Sequence, residues 1–227
     1  MRHTVKLVVL GVLCLAAMGS GYGGFEAAAG FVNFGDVNDI LTVFNRDSLK
    51  GDGRLAYKGP LWWFGGHGGD QVGVVTLGGS GAFTARATQA DSLSSELAAI
   101  RANFEVGFPH SPVEWFTVRP CVELAGAGMV IYAHTKENGE FVGNFSARFK
   151  RWYAAWIVGA APGVELMGSL PTSEESFLGL FVKTSYFFPV SGPRWFGDKD
   201  PPGFGLSGFS VQVGLRFGKT APREFEM

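Results

Sequence analysis

The chain has 227 residues, 46% of them apolar and only 17% charged, with a formal net charge of −1. So little charge beside 14% aromatics excludes a disordered chain, and the near-zero balance excludes a broad basic surface for nucleic acid. The 34 glycines would each weaken a helix interior by about 1 kcal/mol, whereas sheets with closely approaching backbones accept them.

The first element is a secretory signal. Arg2, His3 and Lys6 precede an apolar run from Leu7 to Ala17, and Ala17-Met18-Gly19 is a small-x-small cleavage site. The run is too short to span a membrane as a helix. Leu13 before Cys14 argues against a lipoprotein. Cleavage after residue 19, or as far on as 21, leaves 17 basic and 20 acidic residues, a net charge of −3. It also leaves Cys121 as the one thiol, so no intrachain disulfide forms. The expected organisation is 1–19 signal peptide, 20–217 barrel domain and 218–227 a short tail.

Eight strands follow. Gly24–Val32 is the first, and then comes an insert with the one helical signal. Asp36 can cap a segment in which Val37, Ile40, Leu41 and Phe44 recur on one face, which predicts a helix over 36–47. Leu61–Gly68 and Val72–Arg86 are next. Glu96–Phe108 sets Ala98, Ile100, Ala102, Phe104, Val106 and Phe108 against Arg101, Asn103, Glu105 and Gly107. Phe116–Val130 repeats this, with Phe116, Val118, Val122 and Leu124 opposing Thr117, Arg119, Cys121 and Glu123. Trp152–Leu166, Ser176–Phe188 and Gly208–Phe217 complete the set. Residues 33–60, 87–95, 134–151 and 189–203 read as long loops, and those near 69–71, 109–115 and 167–175 as short turns. Alternating long and short connections suit a membrane barrel whose two ends face different compartments.

Period two does not say which face points out. A soluble lipocalin-like barrel would hold its apolar face inside around a ligand. The polar parity is mostly Gly, Ala, Ser and Thr, too poor in charge for a water-facing wall. Aromatics gather at strand ends: Phe108, Trp115 and Phe116 near one rim, Tyr132, Trp152 and Phe188 near the other. Both points favour lipid outside.

On these residues the chain resembles the small eight-stranded outer-membrane barrels of diderm bacteria, over residues 24–217. The most specific stretch is Gly208-Phe209-Ser210-Val211-Gln212-Val213-Gly214-Leu215-Arg216-Phe217. The resemblance implies an all-β, antiparallel up-and-down transmembrane barrel, monomeric, located in the outer membrane and surrounded by its lipid. It also implies that the insertion machinery reads Gly208–Phe217 through its terminal aromatic, although ten residues follow Phe217 here.

No motif for a cofactor, metal or catalytic group stands out. His110 and Ser111 adjoin in a Pro-flanked turn and point in divergent directions, so they make a poor base and nucleophile for an outer-membrane lipid hydrolase. His67 lies at a strand end and His134 at the start of a loop. Cys121 reads as a small inward residue. Asp198, Asp200, Glu137 and Glu140 read as solvated loop acids. Arg148, Lys150 and Arg151 beside Trp152 form a basic cluster at the outer rim, suited to anionic lipid head groups.

The register of one hairpin can be read as well. Pro109-His110-Ser111-Pro112 has turn composition. With Phe108 facing Phe116, Glu105 stands opposite Arg119, Arg101 opposite Glu123, Val106 opposite Val118 and Ala102 opposite Val122. This predicts an inward cluster of Arg101, Glu105, Arg119 and Glu123, joined by Arg216 and Glu26 across the closing seam, with a structural role.

Overall fold

A computed structural model describes residues 21–32, 38, 41, 55–90, 93–135, 150–173, 176–191, 194–197 and 207–219. Their strands, in chain order, are β1 (Tyr22–Val32), β2 (Leu61–Val72), β3 (Val75–Ala90), β4 (Leu93–Gly107), β5 (His110–Val113), β6 (Phe116–Thr135), β7 (Lys150–Ser173), β8 (Ser176–Pro189), β9 (Arg194–Gly197) and β10 (Gly208–Lys219). Consecutive long strands pair antiparallel, and β1 pairs with β10, so the sheet closes into an eight-stranded up-and-down barrel. The short β5 and β9 prolong the edges that β4 and β8 offer to β6 and β7. Closure leaves none of the long strands as an edge strand, although β3 runs on from Thr84 to Ala90 past the end of its β2 ladder.

The side chains sort by parity. Odd positions of β10, even positions of β4 and β6, and odd positions of β1 face outward, with Phe25, Ile100, Leu124 and Leu215 about half exposed or more. Their neighbours Glu26, Arg119, Glu123 and Arg216 are buried inside. Gly73 takes φ +61° in the two-residue turn between Val72 and Val75, where a type II′ hairpin needs glycine.

Four expected connections are wholly or largely strand in the described residues: 69–71 lies in β2 and 167–173 in β7, and two more, 87–95 and 109–112, change the pairing. Over 87–95, β3 and β4 run on until Ala90 pairs with Leu93. The polar top of β3 is held there by the segment before β2: Arg86 Nη1 donates to Pro60 O at 3.0 Å and Thr88 Oγ1 to Ala56 O at 3.1 Å. Over 109–112, the chain does not turn. Phe108 N–H donates to Pro120 O, His110 pairs with Val118 and Val113 with Phe116, so the reversal falls at Glu114-Trp115. The register of β4 on β6 is accordingly four residues further along β6 than expected. Glu105 faces Glu123, Val106 faces Val122 and Gly107 faces Cys121.

The strands differ in length, giving the barrel one low and one high side. On the low side β1 ends at Val32, level with Gly208 of β10 and Phe187 of β8. On the high side β6 has 20 residues and β7 has 24. Of the expected helix over 36–47, only Asn38 and Leu41 are described, and both are helical. Asn38 holds Tyr57 through Nδ2 to Tyr57 O at 3.1 Å and through Oδ1 from Tyr57 N at 2.8 Å. Leu41, Leu55 and Tyr57 are fully buried among Leu97, Met129 and Ile131, inside the upper barrel. Tyr57 ends in a hydroxyl 2.9 Å from Ser95 Oγ, and burial pushes its phenol up to about 12. The interior is therefore two-tiered: apolar and packed by Leu41, Leu55 and Tyr57 above, charged below.

Residues 1–20 and 220–227 lie outside the described residues, and with them the signal peptide and most of the tail. Gly218 and Lys219 belong to β10, pairing with Phe177 and Ser176, so the last strand runs two residues past Phe217.

Candidate functional site: the charged lower lumen

Inward positions of β1, β2, β4, β6, β7, β8 and β10 meet in the lower barrel. They carry Glu26 of β1, His67 of β2, Arg101 and Glu105 of β4, Arg119 and Glu123 of β6, Glu165 of β7, Lys183 of β8 and Arg216 of β10. Glycines make the room. A Cβ at Gly24 would stand 2.7 Å from the His67 ring, and one at Gly107 would stand 3.0 Å from Arg119 Cδ.

Glu165 is the centre of the lower half. Arg119 lies directly opposite it on the β6–β7 ladder and grips it with Nε to Oε1 at 3.2 Å and Nη2 to Oε2 at 2.6 Å. Arg216 grips the same carboxylate with Nη1 to Oε1 and Nη2 to Oε2, both at 2.7 Å. One carboxylate thus accepts two forked guanidinium pairs, the strongest hydrogen-bond geometry open to it. Arg119 also reaches Glu105 Oε1 at 2.6 Å and donates to Thr76 Oγ1 at 3.1 Å. The Arg216 guanidinium lies between the rings of Tyr22 and Phe181, 4.4 and 5.0 Å from their centres.

Above this, Lys183 forms ion pairs with both Glu105 and Glu123. Glu26 meets Arg101 Nη2 at 3.3 Å and His67 Nδ1 at 3.6 Å. His67 Nε2 accepts from Arg216 Nε at 3.4 Å, which puts the ring proton on Nδ1, toward Glu26. Four carboxylates thus answer four permanent cations, and with His67 neutral the described cluster has no net charge. Burying charge costs free energy unless each ion is paired and hydrogen-bonded. Here each of the eight is in an ion pair.

All six residues singled out from the sequence for this cluster stand in it, though not all with the expected partners. Glu105 and Arg119 do touch, diagonally along the lumen wall rather than as ladder neighbours. Arg101 and Glu123 are not an ion pair in the described contacts: Arg101 goes to Glu26 and Glu123 to Lys183. Glu165, Lys183 and His67 were missed as members. Their inward parity was the available signal, since Glu165 alternates with Val164 and Leu166, and Lys183 with Val182 and Thr184.

The other candidates divide. Arg148 lies outside the described residues, as do Glu137, Glu140, Asp198 and Asp200. Lys150 and Arg151 begin β7, and Trp152 beside them is half exposed on the outer wall, paired with Tyr132. Ser111 Oγ is 2.9 Å from Thr117 Oγ1 on the exposed lower hairpin. Cys121 is buried and faces inward. His134 is placed in β6, opposite Lys150.

No family model and no curated protein matches the sequence. Among solved structures, the chain is similar to a major outer membrane protein from Thermus thermophilus, at 10% identity and a TM-score of 0.46, over 88% of this chain and 98% of that one. It is similar to Ail, the attachment invasion locus protein of Yersinia pestis, at 11% identity and 0.37, over 88% and 98%. A third similarity is to Neisserial surface protein A, at 12% and 0.38, over 86% and 94%. Likenesses this distant carry no functional information about the chain.

Proposed function

We propose that the chain is a monomeric β-barrel of a bacterial outer membrane, non-enzymatic, with a closed lumen, acting through its outer loops and rim. The observation that carries this is the outer wall. From Phe116 to Tyr132 on β6, Trp152 to Leu170 on β7, Leu178 to Phe188 on β8 and Phe209 to Phe217 on β10, no outward position holds a charged side chain. Water would leave such a wall aggregating; lipid is the solvent that suits it. Aromatic pairs edge it at both levels, Phe25 with Phe217 below and Phe31 with Phe209 above. A lipocalin-like binder would need the reverse orientation, with its apolar parity inside.

The closed lumen follows from the two tiers. Eight strands leave an interior that side chains can fill, and here the ion network and the first-loop residues fill it. Catalysis has little support among the described residues, because His67 contacts Arg216, Glu26 and aromatic rings but no hydroxyl or thiol. The remaining partners are assigned by chemistry. Gly208–Phe217 would be read by the insertion machinery, and Arg148, Lys150, Arg151 and Trp152 would meet lipid head groups at the outer rim. Fractionation with detergent extraction tests the reading. The protein should sediment with outer membranes and show heat-modifiable gel mobility; recovery in the soluble periplasm would overturn it.

A further inference from the structure

Between the two tiers, on the low side of the barrel, the packing is incomplete. A half-open recess of about 90 Å³ lies there, lined by Trp63, Ala127, Ala161, Phe187 and Phe209, with Arg101, Glu123, Ser185 and Ser210 among its polar walls. Three features point to an occupant. First, the Arg101 guanidinium, 5.5 Å from the Trp63 ring centre, spends Nη2 on Glu26, while its buried Nε–H has no acceptor among the described residues. A buried donor left without a partner is costly, and an incoming anion would satisfy it. Glu123, the opposing charge in the wall, is already neutralised by Lys183. Second, the recess adjoins the low rim, where Gly208 to Ser210 begin β10 and the Phe31–Phe209 pair marks the upper edge of the apolar belt. Third, the hydrogen bonding between β7 and β8 lapses beside Phe187 while the register is kept. The β7–β8 ladder pairs Ala160 with Phe188 and resumes at Gly163 with Ser185, and Pro162 between them has no N–H to give.

We propose that this recess binds the carboxylate of a single-chain amphiphile taken from the outer leaflet. The carboxylate sits against Arg101 with the Ser185 and Ser210 hydroxyls beside it, and the acyl chain leaves past Phe187 and Phe209 into lipid. A cavity of roughly 150 Å³ holds one benzene, so this one accepts the head and first carbons only. The rest of the chain must lie over the rim. The proposal rests on the membrane reading for the source of the chain, but not for the site.

The test is calorimetric titration of the full chain in nanodiscs of zwitterionic lipid, with empty discs as reference. Hexanoate should bind saturably at one site, hexanol at least about tenfold more weakly and hexylammonium not at all, because a charge-assisted contact is lost in both. Arg101→Gln should weaken hexanoate at least about tenfold, and Arg101→Lys should restore part of the loss. Ala127→Leu, which fills the recess opposite Arg101 without touching the ion network, should abolish binding while heat-modifiable mobility stays normal. Affinity should climb from butanoate to octanoate by about fourfold for each added CH₂. Absence of saturable binding to folded protein, indifference to Ala127→Leu, or a flat series from butanoate to octanoate would each overturn the proposal; the last would mark a site for small soluble carboxylates. Fractionation decides the membrane reading separately.

Discussion

Glu105 and Glu123 stand directly opposite each other on the β4–β6 ladder, and Lys183, reaching in from β8, pairs with both. Like charges in direct opposition destabilise a sheet, so this pairing depends on a cation from a distant strand. Lys183→Met should therefore lower stability by about 3–5 kcal/mol, the range for leaving buried charge uncompensated. Adding Glu123→Gln should recover part of it. Urea-induced unfolding from lipid vesicles measures both; a double variant no more stable than the single would show that Lys183 does not act by neutralising the pair.

Glu165 should be the most sensitive residue of the cluster. Glu165→Gln leaves Arg216 without its ion pair and Arg119 with Glu105 alone, whereas Arg101→Gln ends a single contact of 3.3 Å to Glu26. The expected loss is about 3–5 kcal/mol or more for the first and clearly less for the second. Reversed sensitivities in the same unfolding assay would contradict the described network.

The outer wall predicts a depth-dependent penalty for charge. Leu124→Arg and Ile100→Arg place a guanidinium in the apolar belt and should each cost about 2–4 kcal/mol on folding into bilayers. Val74→Arg, in the exposed β2–β3 turn, should cost well under about 1 kcal/mol by the same rule. Equal tolerance at all three sites would mean that this face does not meet lipid.

Two tiers predict two independent seals. The intact protein should show no steady conductance in planar bilayers. Replacing residues 34–58 with a short flexible linker removes Leu41, Leu55 and Tyr57 from the upper lumen but leaves Glu165 bound by Arg119 and Arg216 below. That variant should also stay closed. Steady open channels in it would place the seal in the first loop alone.

Alternation along the chain is enough to give the number and order of the long strands and the parity of each that faces out. Period two is local, and any even shift of register preserves it. That is why Arg101, Glu105, Arg119, Glu123, Arg216 and Glu26 fall on inward positions even though turn composition puts the hairpin four residues away from its actual register. Which side chains meet is a property of the closed barrel. Pro109 and Pro112 look like a turn, yet Phe108 and His110 still find partners on β6, so the reversal moves to Glu114-Trp115 and Glu105 lands opposite Glu123 instead of Arg119. Two further partners, Glu165 and Lys183, sit on β7 and β8 and come within reach because the sheet closes and its lumen is narrow enough for side chains to cross. Closure also creates the apolar upper tier: Leu97, Met129 and Ile131 face inward there because Leu41, Leu55 and Tyr57 cover them, a contact across the barrel mouth that no local periodicity encodes.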